Sequence, residues 1–327
     1  MSRPRILIAR RLFPEVEQRL ARHFDVQTNP DDVAWNPQEL ARQLADKDGA
    51  LTTGGQRIDA ALLAACPRLK VVANMAVGYN NFDVDAMNAA GVQGTNTPDV
   101  LTETTADFGF ALMMAAARRM TESEHFLRAG RWQRWSYDMF AGGEVHGSTL
   151  AILGMGRIGQ GIARRGAHGF GMRVIYHNRS RLAPQAEAEC KAQYVGMDEL
   201  LAQADHLVLV LPYTSATHHI VGAAQLARMK PTATLTNIGR GGLVDEAALA
   251  AALQTGRLAA AGLDVFEGEP VVNPALLACT NVVLTPHIAS ATVPTRLAMA
   301  NLAADNLIAF FDGRGPLTPV NQPATRA

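Results

Sequence analysis

Apolar residues in this chain come in short runs separated by amphipathic stretches, and the alternation persists from end to end. Ile6-Leu7-Ile8-Ala9 reads as a buried strand, followed by a helical pattern over 14–22. Further strands are expected at 50–53 and 71–74, with helical stretches at 37–45, 58–65 and 84–90. Alternation of this kind builds parallel βα units. A long Ala- and Met-rich helix is expected over 102–118, then an irregular aromatic stretch over 132–146. A second alternating set begins at Thr149, with strands at 150–153, 173–176, 207–211, 234–238, 262–265 and 282–284. The tail, 294–311, places Leu297, Leu302, Leu307 and Phe310 at helical spacing. Residues 316–319 are expected to be irregular and the last few residues disordered.

The second set opens with a motif. The apolar run Leu150-Ala151-Ile152-Leu153 leads into Gly154-Met155-Gly156-Arg157-Ile158-Gly159, and 158–165 looks helical. Gly154 permits a tight turn, Gly156 lets backbone approach a pyrophosphate, and Gly159 lets helix and strand pack closely. The phosphates would sit at the helix N-terminus. An ordinary strand-to-helix turn is the plain alternative, but strand, turn and helix together favour a dinucleotide. The predicted fold class is therefore α/β: two doubly wound parallel-sheet, Rossmann-like domains with an interdomain cleft. Residues 102–290 would form an NAD(P)-binding domain inserted into a flavodoxin-like, substrate-binding domain of residues 1–101 plus 291–327. The helices at 102–118 and 294–311 would be the crossovers. A length of 327 residues suits two domains.

Composition narrows the function classes. Thirty Lys and Arg balance thirty Asp and Glu, so no global attraction to nucleic acid or to an anionic membrane is implied. The longest apolar stretch, 108–117, is half a membrane span and reads as a buried helix. The apolar run after the basic start is too short for a signal-peptide core. Cys66, Cys190 and Cys279 are widely spaced and form no CxxC pair, which fits a reducing, cytoplasmic setting. No metal-ligand set is assigned.

An NAD site usually places an acid at the end of the strand after the glycine turn, on the ribose hydroxyls. Here that strand runs into His177-Asn178-Arg179-Ser180-Arg181, with no acid. Arg179 and Ser180 could bind a 2′-phosphate, with Arg181 nearby and Asn178 beside them. NADPH is the expected cofactor and NADH a possible one; a solvated basic loop is the alternative. His177 could stack on adenine or face solvent.

Three further residues stand at the ends of apolar runs. Arg240 follows Thr236-Asn237-Ile238-Gly239, and its planar fork can grip a carboxylate and polarise a carbonyl. Gly262-Leu263-Asp264-Val265-Phe266-Glu267-Gly268-Glu269-Pro270 supplies three carboxylates. Glu269, fixed by Pro270, would bond a histidine ring, orient it and raise its pKa. Asp264 would face a nicotinamide or the strand end, and Glu267 solvent. His287, after Val282-Val283-Leu284-Thr285-Pro286, is the strongest general-acid candidate among nine histidines. His218 and His219 compete as a pair but lie in a polar segment. His146 and His168 have no evident carboxylate partner. Each residue alone is most simply a surface side chain; the joint arrangement is the signal.

With these residues and with Val77-Gly78-Tyr79-Asn80-Asn81-Phe82-Asp83, the chain resembles the D-2-hydroxyacid dehydrogenase family over nearly its whole length. Val77 to Val84, Thr97-Pro98-Asp99-Val100-Leu101-Thr102-Glu103-Thr104 and the acid-free loop resemble its glyoxylate/hydroxypyruvate reductase and 2-ketogluconate reductase branch. The resemblance implies that Arg240 binds substrate, Glu269 partners the histidine, and His287 is the acid/base. It implies that backbone amides around Val77 and Gly78 hold the substrate carboxylate. The expected cofactor set is Gly154, Met155, Gly156, Arg157, Ile158, Gly159, Asn178, Arg179, Ser180, Leu211, Pro212, Thr217, Ile238, Gly239, Asp264 and Ser290. A homodimer built around the nucleotide domain and 102–146 is also implied, with Trp132, Trp135, Met139 and Phe140 as interface core.

The expected reaction is NADPH-dependent reduction of a short 2-keto acid such as glyoxylate, hydroxypyruvate or 2-ketogluconate. Two rivals share the motifs: an NAD-preferring phosphoglycerate-type dehydrogenase, and a nucleotide-sensing corepressor or scaffold on the same fold. The acid-free loop and the lack of a regulatory domain after residue 327 disfavour the first. The lack of a basic arm or recruitment tail disfavours the second. Formate dehydrogenase, whose pattern has glutamine in place of Glu269, is disfavoured too.

Overall fold

The computed structural model describes residues 3–323, so the disorder expected at the last few residues falls outside it. The chain divides into two compact units, Met1–Leu101 with Thr292–Ala327, and Thr102–Ala291.

The first unit begins β1 (Arg5–Ile8), α1 (Pro14–His23), β2 (Asp25–Gln27), α2 (Pro37–Leu44) and β3 (Gly49–Thr52). It continues α3 (Ala60–Ala65), β4 (Val71–Asn74), α4 (Val84–Ala89) and β5 (Gln93–Thr95). The helix Val293–Phe311 returns to it. Its five strands are all parallel, in the order β2-β1-β3-β4-β5. The helices start where the side chains dictate. Asn36 accepts the Glu39 N–H at 2.9 Å and Asp59 the Leu62 N–H at 3.1 Å, each capping a helix. Ile6 and Ile8 enter one core with Leu307 of the returning helix, and Leu7 enters another with Leu44. Both faces of the sheet are thus covered, as a parallel sheet requires.

The second unit holds α5 (Thr102–Ala117), α6 (Met120–Arg128), β6 (Thr149–Leu153), α7 (Arg157–Arg164), β7 (Arg173–His177) and α8 (Pro184–Cys190). Next come β8 (Ala192–Tyr194), α9 (Met197–Gln203), β9 (His206–Leu209), α10 (Ala223–Leu226) and β10 (Thr234–Asn237). The unit closes with α11 (Glu246–Gln254), β11 (Ala260–Leu263), α12 (Pro274–Leu277) and β12 (Val282–Leu284). Seven parallel strands run β12-β11-β10-β9-β6-β7-β8. The α/β class and the doubly wound parallel sheets are therefore as expected. Leu150 and Ile152 pack with Phe110 and Ile162 on one face, and Ala151 and Leu153 with Leu200 and Leu249 on the other.

Three strands were not expected: β2, β5 and β8. Each has three residues and lies at a sheet edge, where apolar patterning is weakest. The strand expected at 262–265 lies instead at Ala260–Leu263. Its alanines favour helix intrinsically, but pairing with β10 overrides that preference. Among the described residues no helix is long and apolar enough to cross a membrane.

Candidate active site

The strands of the second unit end in register. Leu153 pairs with Leu209, Leu209 with Asn237, Asn237 with Leu263, and Leu263 with Leu284. The loops leaving these residues therefore all lie along one edge of one sheet. That edge includes the point between β6 and β9 where strand order reverses, the place open α/β sheets bind ligands.

The glycine turn leaves β6 there. Gly154 has φ +103°, and a Cβ on it would stand 2.6 Å from the Leu211 nitrogen, so this position admits only glycine. A Cβ on Gly159 would meet the Gly154 carbonyl oxygen at 2.5 Å, whereas one on Gly156 would meet nothing within 4 Å. Gly156 is the N-cap of α7, and no side chain caps that helix. Backbone packed tightly from below, open space above and an uncapped helix start fit the pyrophosphate of a dinucleotide. Asn178 has a supporting place: its Oδ1 accepts the Met155 N–H at 2.6 Å and so braces the turn.

The loop after β7 sorts its side chains. His177, half-buried, bonds the Val195 carbonyl through Nδ1 at 2.9 Å and stacks on Tyr194 at 5.6 Å. Arg181 forks onto Glu187 with two bonds of 2.8 Å. Those bonds, with the Tyr176 hydroxyl at 2.6 Å, hold the Glu187 carboxyl down at about 2. Arg181 is therefore committed within the fold. Arg179 and Ser180 are exposed and make no side-chain hydrogen bond among the described residues. Thr217 turns its hydroxyl to the Pro212 carbonyl at 3.0 Å, within the loop that begins at Leu211.

Next along the edge, Arg240 leaves β10. Asn237, fully inside the protein, donates through Nδ2 to the Arg240 carbonyl at 2.8 Å and accepts the Gly239 N–H at 3.0 Å. It thereby shapes the turn that carries the arginine after Ile238. A Cβ on Gly241 would lie 1.8 Å from the Phe266 carbonyl carbon, so the turns after β10 and β11 touch backbone to backbone. Burial lowers the Arg240 pKa and the Glu269 charge opposes that shift; an arginine remains charged at neutral pH.

Glu269 and His287 meet. Glu269 Oε2 lies 2.8 Å from His287 Nδ1, and Glu269 Oε1 accepts the Phe266 N–H at 2.9 Å. Burial pushes the Glu269 carboxyl up. The His287 bond, the Phe266 N–H and the charges of His287 and Arg240 outweigh it and hold the group below its ordinary value. His287 has φ +54°, a left-handed conformation uncommon for a side-chain-bearing residue. Its N–H donates to the Asp264 carbonyl at 2.9 Å.

Asp264 takes the strand-end place of its two expected positions. It is wholly buried, and its carboxylate accepts the Thr285 hydroxyl and the Ile288 and Ala289 N–H groups, each at 2.8 Å. The loop carrying His287 and running on to Ser290 is therefore anchored on both sides of the histidine. Sequence reasoning missed the positioning role of Asn237 entirely, and it named Asp264 without seeing that it anchors this loop. The signal in both cases was a polar residue ending an apolar strand, which by itself says nothing about its partners.

In the first unit, Val77 and Gly78 come after β4. Their carbonyls accept Asn96 Nδ2 at 2.8 Å and Asn74 Nδ2 at 3.2 Å. Their own N–H groups donate to no described residue. Two adjacent unpaired amides suit an anion.

Residues 110–289 match the model of the D-isomer specific 2-hydroxyacid dehydrogenase family, NAD binding domain. The chain belongs to the D-isomer specific 2-hydroxyacid dehydrogenase family. It is 45% identical over 328 residues to a glyoxylate reductase of Thermococcus gammatolerans, covering 99% of this chain and 98% of that one. It is 47% identical to a glyoxylate reductase of Aeropyrum pernix, covering 100% and 98%. A crystal structure of the NADPH-dependent glyoxylate/hydroxypyruvate reductase of Sinorhizobium meliloti, in complex with NADP and malonate, superimposes with a TM-score of 0.87. It is 39% identical and the match covers 100% of each chain. Membership makes this protein an NAD(P)-dependent oxidoreductase of 2-keto and D-2-hydroxy acids.

Proposed function

We propose that the protein reduces short 2-keto acids with NADPH: glyoxylate first, then hydroxypyruvate, with 2-ketogluconate as a larger candidate. The observation carrying this reading is the 2.8 Å contact between His287 and Glu269, on the sheet edge that also carries Arg240 and the glycine turn.

Gly154, Gly156 and Gly159 would hold the dinucleotide by its pyrophosphate, and its reduced nicotinamide would supply the hydride for the keto carbon. Arg240 pairs with the charge growing on the carbonyl oxygen. His287 gives that oxygen its proton. The Glu269 carboxylate fixes Nδ1 as the nitrogen facing away from substrate, leaving Nε2 to donate. Asp264 holds the histidine loop in place, and the Val77 and Gly78 amides suit a substrate carboxylate. The preference for NADPH rests on Arg179 and Ser180, exposed on a loop with no acid to repel a 2′-phosphate. The S. meliloti relative, named as NADPH-dependent and crystallised with NADP, supports it.

A homodimer is part of the proposal. Trp132 is 54% and Trp135 70% exposed, and tryptophan is a residue type enriched at protein interfaces. Phe140 instead packs on Phe126 at 5.2 Å within its own segment.

The test is a set of initial rates for purified protein with NADPH or NADH, each against the three keto acids. Turnover favouring NADPH and glyoxylate or hydroxypyruvate is expected. Faster turnover with NADH would overturn the cofactor assignment. Tight nucleotide binding without turnover of any pair would favour a sensor over an enzyme.

A further inference from the structure

Beside the proposed catalytic residues lies a polar cluster that the reaction does not use. The segment after β9 brings His218 and His219 against Glu267, on the turn that also carries Glu269. His219 Nε2 lies 2.9 Å from Glu267 Oε2, and His218 Nδ1 lies 4.0 Å from Glu267 Oε1. The two imidazoles stack at 3.8 Å with 24° between their planes, so both rings present a nitrogen to one carboxylate. One donor atom from each residue falls within 4.8 Å of the other two.

We propose that His218, His219 and Glu267 form a binding site for one divalent transition-metal ion of the zinc class. Two imidazoles and a carboxylate are a donor set of intermediate softness, suited to Zn²⁺, Co²⁺ or Ni²⁺ and poorly suited to Mg²⁺ or Ca²⁺. Donors about 2 Å from one tetrahedral ion lie about 3.3 Å apart. The three donor atoms fall within 4.8 Å of one another, so binding needs a closure of at most about 1.5 Å. Exposed side chains can supply that closure: His218 is 43%, His219 35% and Glu267 44% exposed. The same exposure leaves the remaining coordination positions to water.

The backbone beneath the cluster is held from both sides. His219, at φ +49°, donates its N–H to the Gly242 carbonyl at 2.8 Å. Glu267 donates its N–H to Glu246 Oε1 at 2.7 Å. Tyr213 Oη lies 3.1 Å from His218 Nδ1, so an ion taking that nitrogen displaces the tyrosine hydroxyl from it. An ion here would tie the 213–219 segment to the turn bearing Glu269. It would therefore stabilise the folded protein by mass action, independently of any turnover.

The experiment uses untagged full-length protein, titrated with Co²⁺ and followed by visible absorption, with Zn²⁺ stoichiometry from equilibrium dialysis. One ion per chain is expected, with the cobalt absorption of a low-coordinate site and a rise in thermal midpoint on adding Zn²⁺. His219→Ala and Glu267→Gln should each weaken binding at least tenfold. His218→Ala, an exposed change that leaves the His219–Glu267 contact in place, should weaken it as well and guards against a folding failure in the other two. No retained ion in the wild type, or equal retention by the wild type and all three variants, would overturn the site.

Discussion

Replacing Glu269 with glutamine keeps the size of the side chain and removes its charge. Glu269 is held below its ordinary pKa, so it stays ionised near neutrality. What it acts on is His287. A carboxylate 2.8 Å from Nδ1 accepts the ring N–H and leaves Nε2 for the substrate. Glutamine can give its oxygen to the Phe266 N–H and then turns its amide hydrogens to Nδ1, which removes that orienting bond. A hydrogen bond to a charged group contributes about 1.5–3 kcal/mol, and a factor of ten in rate corresponds to about 1.4 kcal/mol. The side chains are 47% and 33% exposed, so solvent screening sets the effect at the low end. The kcat of reduction should fall about tenfold with the KM for NADPH unchanged. The assay is steady-state kinetics with NADPH and a keto acid, with the thermal midpoint measured beside it. An unchanged kcat would refute the pairing, and a fall accompanied by a lowered thermal midpoint would point to a folding defect instead.

Two other substitutions separate cofactor from scaffold. Arg179→Ala should raise the KM for NADPH about tenfold, the loss of one charge-assisted bond, while leaving NADH kinetics alone; an equal rise for both would remove the 2′-phosphate role. Asp264→Asn exchanges one of two buried acceptor ends for a donor that faces another donor, which costs about 1–3 kcal/mol. Its denaturation midpoint should fall and its kcat with it, because the His287 loop loses an anchor. Wild-type stability in that variant would contradict the anchoring.

Much of the fold was legible because parallel strands buried on both faces are written as short apolar runs. Those runs end where the proposed catalytic residues sit, so Arg240, Glu269 and His287 could be placed on one sheet edge without coordinates. The edge strands were not legible. Gln93-Gly94-Thr95 and Ala192-Gln193-Tyr194 carry too few apolar residues to stand out, and only their pairing partners make them strands. Nor could sequence show that the two arginines after β7 differ. Arg181 is captured by Glu187 from the next helix, whereas Arg179 is left exposed. The roles of Asn178 and Asp264 were hidden for the same reason: a side chain's hydrogen-bond partners depend on strands that meet only in the fold.

His287 as the proton donor is the centre of the proposed mechanism, and the most direct measurement compares two properties of His287→Ala: the Kd for NADPH and kcat with glyoxylate. General acid catalysis contributes about 10²–10⁴-fold, so turnover should fall by at least about a hundredfold while NADPH binds as tightly as in the wild type. Turnover within a few-fold of wild type at unchanged NADPH affinity would contradict the assignment.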